Sequence, residues 1–472
     1  MTKINFGEWL PDQPGVTGAV TDAKNCYPVA NGYAPVKTEA DYSDDAGTTL
    51  QIVFAGKVGG VSSLFAASAT QIYKFDSNDA SLDALTTTGY TAVEGWDVTQ
   101  FGPKMILANG QNKLQSWTLN SSTYFGDLSA DAPIAKFVTV VRDFVVAAND
   151  GTDTNKVYWS DINDETDWTP SAASQSDFQL LPDGGDITGL AGGEYGLIFL
   201  ERAIYRMSYT GSPLFFQFDA ISRSLGCISN GSIAQYGGLT YFLSDDGFYA
   251  CDGQTAKSIG VEKVNRWFFD NAIPNEIPTA MSATVDPINK LVIWKFNNTF
   301  GGKFMLMYSI DLGKWSYAET IATSIAYALT PSATLEQVDN YNTSIDALDI
   351  PLDSRVFAGG QLLFAGVSGE KIISFSGQPK TATISTGDID VGRSVITLAK
   401  PIVDGGSGSV AVASRDNLAE QVEFGSNVAP DAENRASLRS NGDYHRLRLT
   451  PTGDNWKTAV GIEIDFAKQG NR

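Results

Sequence analysis

Residues 239–251 read LTYFLSDDGFYAC: an apolar segment, a polar turn, and a second segment that carries aromatics. Small polar residues between two β-forming runs describe two antiparallel strands joined by a turn. The theme occurs upstream at 63–75 (SLFAASATQIYKF), 104–119 (KMILANGQNKLQSWTL), 143–159 (DFVVAANDGTDTNKVYW) and 195–209 (YGLIFLERAIYRMSY). It returns downstream at 291–308 and at 362–375 (LLFAGVSGEKIISF). Successive starts lie roughly 40–50 residues apart, with one longer gap, which is the period of four-stranded propeller blades. The expected fold is all-β: a β-propeller of about seven blades over residues 46–380, with six or eight also compatible. A pair of β-sandwiches competes, because its strands also recur at short intervals, but it gives no long period.

Outward from the repeat the character changes twice. Residues 1–45 hold four prolines, several glycines and little alternation, and read as an extended arm that packs on something else. Residues 381–472 carry ten basic and twelve acidic residues in short alternating runs, the pattern of a small C-terminal β domain. The long gap in the repeat contains the stretch 320–353, with Glu336, Asp339, Asp346, Asp349 and Asp353 and no Lys or Arg, and reads as an insertion between or within blades. Such insertions sit on one face and carry interactions, or are solvated loops.

Charge narrows the function classes. Thirty-three basic residues against 54 acidic ones leave a net charge of −21. Gripping DNA or an anionic membrane requires Lys and Arg to displace counterions, so this surface meets DNA, if at all, without holding it. Cys26, Cys227 and Cys251 are an odd set with no short-spaced pair, which argues against a disulfide framework or a Cys-rich zinc site. The N-terminal residues lack a secretion-signal pattern, and no apolar run approaches membrane-spanning length, so folding in a cytoplasm is expected.

Catalytic chemistry finds little to stand on. The single histidine, His445, alternates with Leu447 and Leu449 and reads as a half-buried, hydrogen-bonded strand residue, not a base. No GxSxG elbow or Walker loop occurs, and Gly406–Ala411, which formally fits GxGxxA, leads into a strand and reads as a turn. The stretch 149–186 sets Asp150, Asp153, Asp161, Asp164, Glu165, Asp167, Asp177, Asp183 and Asp186 against the single Lys156. Such loops can hold Ca²⁺, but EF-hand spacing is missing and Asp and Asn are ordinary turn residues. No catalytic, cofactor-binding or metal-binding residue is assigned, and the chain is read as a non-enzyme.

Several segments resemble one family. They are Val157-Tyr158-Trp159-Ser160, Asp164-Glu165-Thr166-Asp167-Trp168, Phe178, Leu181-Pro182-Asp183-Gly184-Gly185 with Gly189, Gly192-Gly193-Glu194-Tyr195-Gly196, and Ala203-Ile204-Tyr205-Arg206-Met207. Phe216-Gln217-Phe218, Gly226-Cys227-Ile228, Leu243-Ser244-Asp245-Asp246-Gly247-Phe248-Tyr249, Ile259-Gly260, Glu262-Lys263-Val264 and Trp267-Phe268 continue the run. Near the start stand Phe6, Pro11, Asp12, Gly15, Ala23-Lys24-Asn25, Pro28 and Gly32-Tyr33-Ala34-Pro35; near the end, Tyr444 to Leu449, Trp456 and Gly461-Ile462. Together they resemble the tail nozzle (tail hub, tail tubular protein B-like, packaged-DNA stabilisation) family of short-tailed bacteriophages. Residues 46–140 and 300–440 resemble it in pattern only.

The resemblance implies a virion structural protein assembled in the host cytoplasm: a homohexamer below the portal and adaptor. It would continue the DNA channel, retain packaged DNA, support ejection, and anchor fibres, tailspikes or a needle. Double-stranded DNA would pass through without sequence-specific binding. Two other readings compete. A propeller glycosidase or polysaccharide-binding tail module requires a carboxylate pair in a cleft, at a separation of about 5–10 Å for hydrolysis. A cellular propeller scaffold requires a monomer with a peptide-binding face.

Overall fold

The computed structural model describes residues 2–15, 18–331 and 359–469. Seven four-stranded antiparallel sheets follow one another, at 50–84, 97–127, 137–180, 187–222, 234–258, 282–320 and 324–374, the last completed by Ala40–Asp41, and we number them blades 1 to 7. Six are free-standing sheets; the strands of blade 6 continue into a 13-stranded sheet. The fold is an all-β propeller, with six separate blades and a seventh meander filling the remaining position. Each hairpin singled out in the sequence is the second and third strand of a different blade.

Why those pairs were audible follows from packing. The second strand of a blade is covered on both faces, so it is mostly apolar, and alternate side chains serve opposite neighbours. In blade 1, Leu64 and Ala66 pack toward Ala365, Val367 and Ile372 of blade 7, whereas Phe65 and Ala67 join Met105, Leu107 and Trp117 of blade 2. In blade 3, Val145 and Ala147 face blade 2, and Phe144, Val146 and Ala148 face Ile198 and Leu200 of blade 4. Leu197 and Phe199 turn the other way, and Phe199 meets Phe242 of blade 5 at 5.0 Å. Burying one such side chain contributes about 1.5–3 kcal/mol, and every seam repeats the arrangement, so the ring closes.

Closure uses the arm. Ala40–Asp41 is the outer strand of blade 7, paired with Lys371–Ser374, and Lys371 Nζ bonds Asp41 Oδ2 at 2.8 Å. Three further arm strands pair with the opposite end of the chain, and Cys26–Val29 pairs with Gly32–Pro35. Thr2–Asn5 lies antiparallel to Thr458–Lys468, Val20–Lys24 to Thr383–Thr386, and Gly32–Pro35 meets Thr458–Lys468 through Tyr33 and Ala459. A parallel bridge from Lys24 to Tyr317 joins this sheet to the outer strand of blade 6.

This corrects two expectations. The arm 1–45 packs on its own chain, and its last strand belongs to the propeller that 46–380 was expected to contain alone. The supposed insertion 320–353 is partly blade, since Lys314–Thr320 ends blade 6 and Ser324–Leu329 opens blade 7. Glu336, Asp339, Asp346, Asp349 and Asp353 lie outside the described residues. The C-terminal domain consists mainly of the long strands Ile389–Asp404, Ser407–Arg415, Ala436–Thr452 and Thr458–Lys468. Gly405, at φ +72°, turns the first into the second, so the glycines at 405–408 serve a hairpin, as read. Among the described residues no helix is long and apolar enough to cross a membrane.

Candidate functional site

Two regions concentrate polar side chains that bond across elements: the axial strands and the joint between propeller and C-terminal domain. The first strand of each blade has one open edge, and its backbone groups need partners. Side chains of adjacent blades supply them. Val138 N–H donates to Asp97 Oδ2 (2.9 Å), linking blades 2 and 3. Gln100 Nε2 donates to the Lys57 carbonyl (2.7 Å) and its Oε1 accepts from Lys57 N–H (3.1 Å), linking blades 2 and 1. Gln235 Nε2 reaches the Gly192 carbonyl (2.9 Å) between blades 5 and 4. Ser282 and Thr284 of blade 6 accept from Ile325 and Tyr327 N–H of blade 7 at 3.1 and 2.9 Å. Burial pushes the Asp97 carboxyl up to about 6, against the hydrogen bonds from Val138, Val98 and Asn230 that favour its charge.

The joint is built from residues far apart in sequence. Asp12 of the arm accepts from Arg266 N–H (2.9 Å) and Trp267 N–H (2.8 Å), capping the short helix Asn265–Asn271 that follows blade 5. Lys263 Nζ bonds Glu8 Oε1 at 2.6 Å and the Gly313 carbonyl at 2.9 Å. Trp9 stacks edge-on against Trp267 at 5.0 Å and beside Tyr317 at 5.2 Å. Asn25 takes Glu319 N–H (2.8 Å) and donates to the Thr381 carbonyl (2.9 Å), touching blade 6 and the C-terminal domain at once. Asp388, 2% exposed at its side chain, binds Arg446 through Nε (3.0 Å) and Nη2 (2.8 Å) and Arg415 through Nη2 (2.6 Å). Burial opposes its charge, yet the two guanidiniums hold its carboxyl below the usual range. Asp388 N–H donates to the Gly15 carbonyl at 2.7 Å, tying this cluster to the arm.

The groups that sequence reasoning examined for chemistry are occupied structurally. His445 is fully buried, not half-buried, with Ser394 Oγ 3.0 Å from Nε2 and Ser414 Oγ 2.6 Å from Nδ1; burial lowers its pKa. In the acidic stretch, Asp150 accepts from Thr152 and Asp153 N–H, Asp161 from Gln175 N–H, Asp164 from Thr166, and Asp167 from Thr169 N–H. Those of Asp150, Asp164 and Asp167 are turn-forming bonds, and that of Asp161 closes a loop of fourteen residues. Among the described residues no three His, Cys, Asp or Glu side chains are grouped to hold a metal ion. Cys26, Cys227 and Cys251 are buried free thiols. Asp97, Asp388 and Arg415 escaped the sequence reading, since each gains its role from a partner in another element.

No family model and no curated protein matches the chain. Among solved structures, the computationally designed Ika8 protein is similar over 71% of this chain and 98% of its own, at 9% identity and TM-score 0.38. BamB from Moraxella catarrhalis is similar over 74% of this chain and 92% of its own, at 10% identity and TM-score 0.36.

Proposed function

We propose that the chain is a structural subunit of a short phage tail: a nozzle or hub, six copies of which form a ring below the portal and adaptor. The ring continues the DNA channel, retains packaged DNA, supports its ejection, and anchors fibres, tailspikes or a needle. The observation that supports this reading is the joint. Segments that carry the family resemblance from three distant parts of the chain converge there: Pro11-Asp12 and Ala23-Lys24-Asn25, Glu262-Lys263-Val264 with Trp267, and Arg446 within the C-terminal run. Their bonds fuse the propeller and the C-terminal domain through one continuous sheet, the construction a stacked tail component needs to pass force without hinging. A net charge of −21 per copy lets DNA slide, because little replaces its counterions.

Native mass spectrometry and light scattering test the reading, on the chain alone and mixed with portal–adaptor complex. A six-copy ring, free or on the adaptor, is the expected result. A chain that stays monomeric at high concentration and does not bind the adaptor overturns it. A ring closes by repeating one heterologous contact, so a twofold dimer counts against the reading as well.

A further inference from the structure

The seam between blades 2 and 3 is not sealed at its outer rim. Blade 2 ends in the two-residue strand Gly126–Asp127, too short to cover the outer strand of blade 3, Asp177–Leu180. All four residues of that strand are exposed, and Phe178 and Leu180, on one face, are each 45% exposed. Inward from them opens a cleft of about 350 Å³, floored by Tyr158 and Trp168, walled by Pro133 and Ile134, and edged by Asp131 and Asp150. Ile134 is itself 41% exposed, so the apolar surface runs from the cleft onto the rim.

The lining carries two carboxylates, Asp131 and Asp150. Lys156 Nζ lies 4.3 Å from the Phe178 ring centroid and 4.7 Å from that of Tyr158, so the chain's own ammonium fills the ring faces and leaves those carboxylates as the sites for an incoming cation. Lys156 also pairs with Asp153 at 3.5 Å and acts on Asp150 from a distance, so Asp131 carries the least compensated charge at the cleft. Thr152 N–H and Asp153 N–H both donate to Asp150 Oδ1 and Tyr158 Oη donates to Oδ2, which keeps one lone pair for a further donor. Asp150 supplies charge and fixes the ring. The surrounding stretch 149–186 holds nine acidic residues and one basic one.

We infer that this rim cleft is a docking site for an extended basic segment of a partner protein. An apolar side chain seats between Ile134 and Trp168, a second packs on Phe178 and Leu180, and lysines or arginines pair with Asp131 and Asp150. Apolar anchors beside complementary charge are the usual arrangement for such recognition. The site is complete within one chain, so the inference does not depend on the proposed ring.

Fluorescence anisotropy on the full chain tests it, with a labelled ten-residue peptide alternating lysine with valine or leucine, a matched glutamate peptide, and a neutral linear oligosaccharide. The lysine peptide is expected to bind and the other two are not. Phe178→Ser/Leu180→Ser, which alters exposed side chains only, should weaken binding by about tenfold or more, equivalent to about 1.4 kcal/mol. Asp131→Asn should weaken it by roughly threefold and flatten its salt dependence. Asp219→Asn, an exposed carboxylate on the outer strand of blade 4, should change nothing. No binding of the lysine peptide up to about 1 mM overturns the inference, as does equal weakening by Asp219→Asn and Asp131→Asn, the mark of non-specific attraction. Binding of the oligosaccharide instead assigns the cleft to sugars and overturns it too.

Discussion

Lys295 stands where a methylene side chain would do. It lies on the second strand of blade 6, on the same face as Leu291 and Ile293, which pack toward blade 7, and it is 1% exposed. Its ammonium donates to the Ala280 carbonyl at 3.0 Å. Burial, with Lys303 adding repulsion, lowers its pKa to about 8 from 10.5, and Glu276 opposes the shift. A folded pKa below the unfolded one means that the unfolded chain binds the proton more tightly. Stability is therefore fully present above about pH 10.5 and lost as pH falls through about 8. The shift corresponds to roughly 3 kcal/mol at neutral pH. Lys295→Met keeps the length of the side chain and removes the charge, but leaves the Ala280 carbonyl without its donor, a loss of about 1–2 kcal/mol. The variant should be more stable by about 1–2 kcal/mol at pH 7, with the gain shrinking between pH 8 and 10.5 and reversing sign near the top of that range. Paired urea titrations followed by tryptophan fluorescence from pH 6 to 10 measure the difference, in which other titrating groups cancel. A variant less stable at pH 7, or a difference that stays flat across the range, refutes the reasoning.

Asp97→Asn keeps an oxygen for Val138 N–H and removes the need to ionise. Because the folded pKa of Asp97 is raised to about 6, the wild type should lose stability as pH rises from about 4 through 6, and thermal melts of the variant should lack that loss. Asp388→Asn leaves Arg415 and Arg446 facing a neutral amide and should cost about 3–5 kcal/mol, read as early proteolysis of the C-terminal domain; unchanged resistance counts against the lock. The wild-type lock should fail in acid, as pH falls through the depressed pKa of Asp388. Deleting 1–45 removes the outer strand of blade 7 and buried Trp9, Cys26 and Tyr33, so a soluble propeller with native near-UV circular dichroism is not expected from that truncation. Phe199→Ala should cost about 3–5 kcal/mol in urea melts, since its ring fills the seam against Phe242.

The sequence spoke clearly wherever a strand is covered on both faces. Segments such as Phe144–Ala148 and Gly196–Leu200 are apolar at every position, and their regular recurrence betrays the blades. Some first and fourth strands are short or mixed, as in Asp97–Phe101 and Gly126–Asp127, and carry no comparable signal. The arm was misread because its partners lie more than 300 residues away: no local pattern in Val20–Lys24 points to Thr383–Thr386. Lys295 was silent for a different reason. In Trp294-Lys295-Phe296 a lysine looks like the solvent side of an alternating strand, and only the neighbouring blade makes it buried. His445 was legible as a strand residue, and its serine partners, one on each flanking strand, were not.

The outer strand of blade 7 bears on how the chain is made. Ala40–Asp41 leaves the ribosome early, and Lys371–Ser374, against which it pairs, emerges more than 300 residues later. At synthesis rates of about 5–20 residues per second, the early segment waits on the order of tens of seconds for its partner. During that wait blade 1 offers Leu64, Ala66 and Tyr73 to a neighbour that does not yet exist. Long-range pairing of this kind also slows folding itself, because loop closure must precede the contacts that reward it. The order of synthesis thus leaves one apolar face of the first blade for a chaperone to shield until translation is nearly complete.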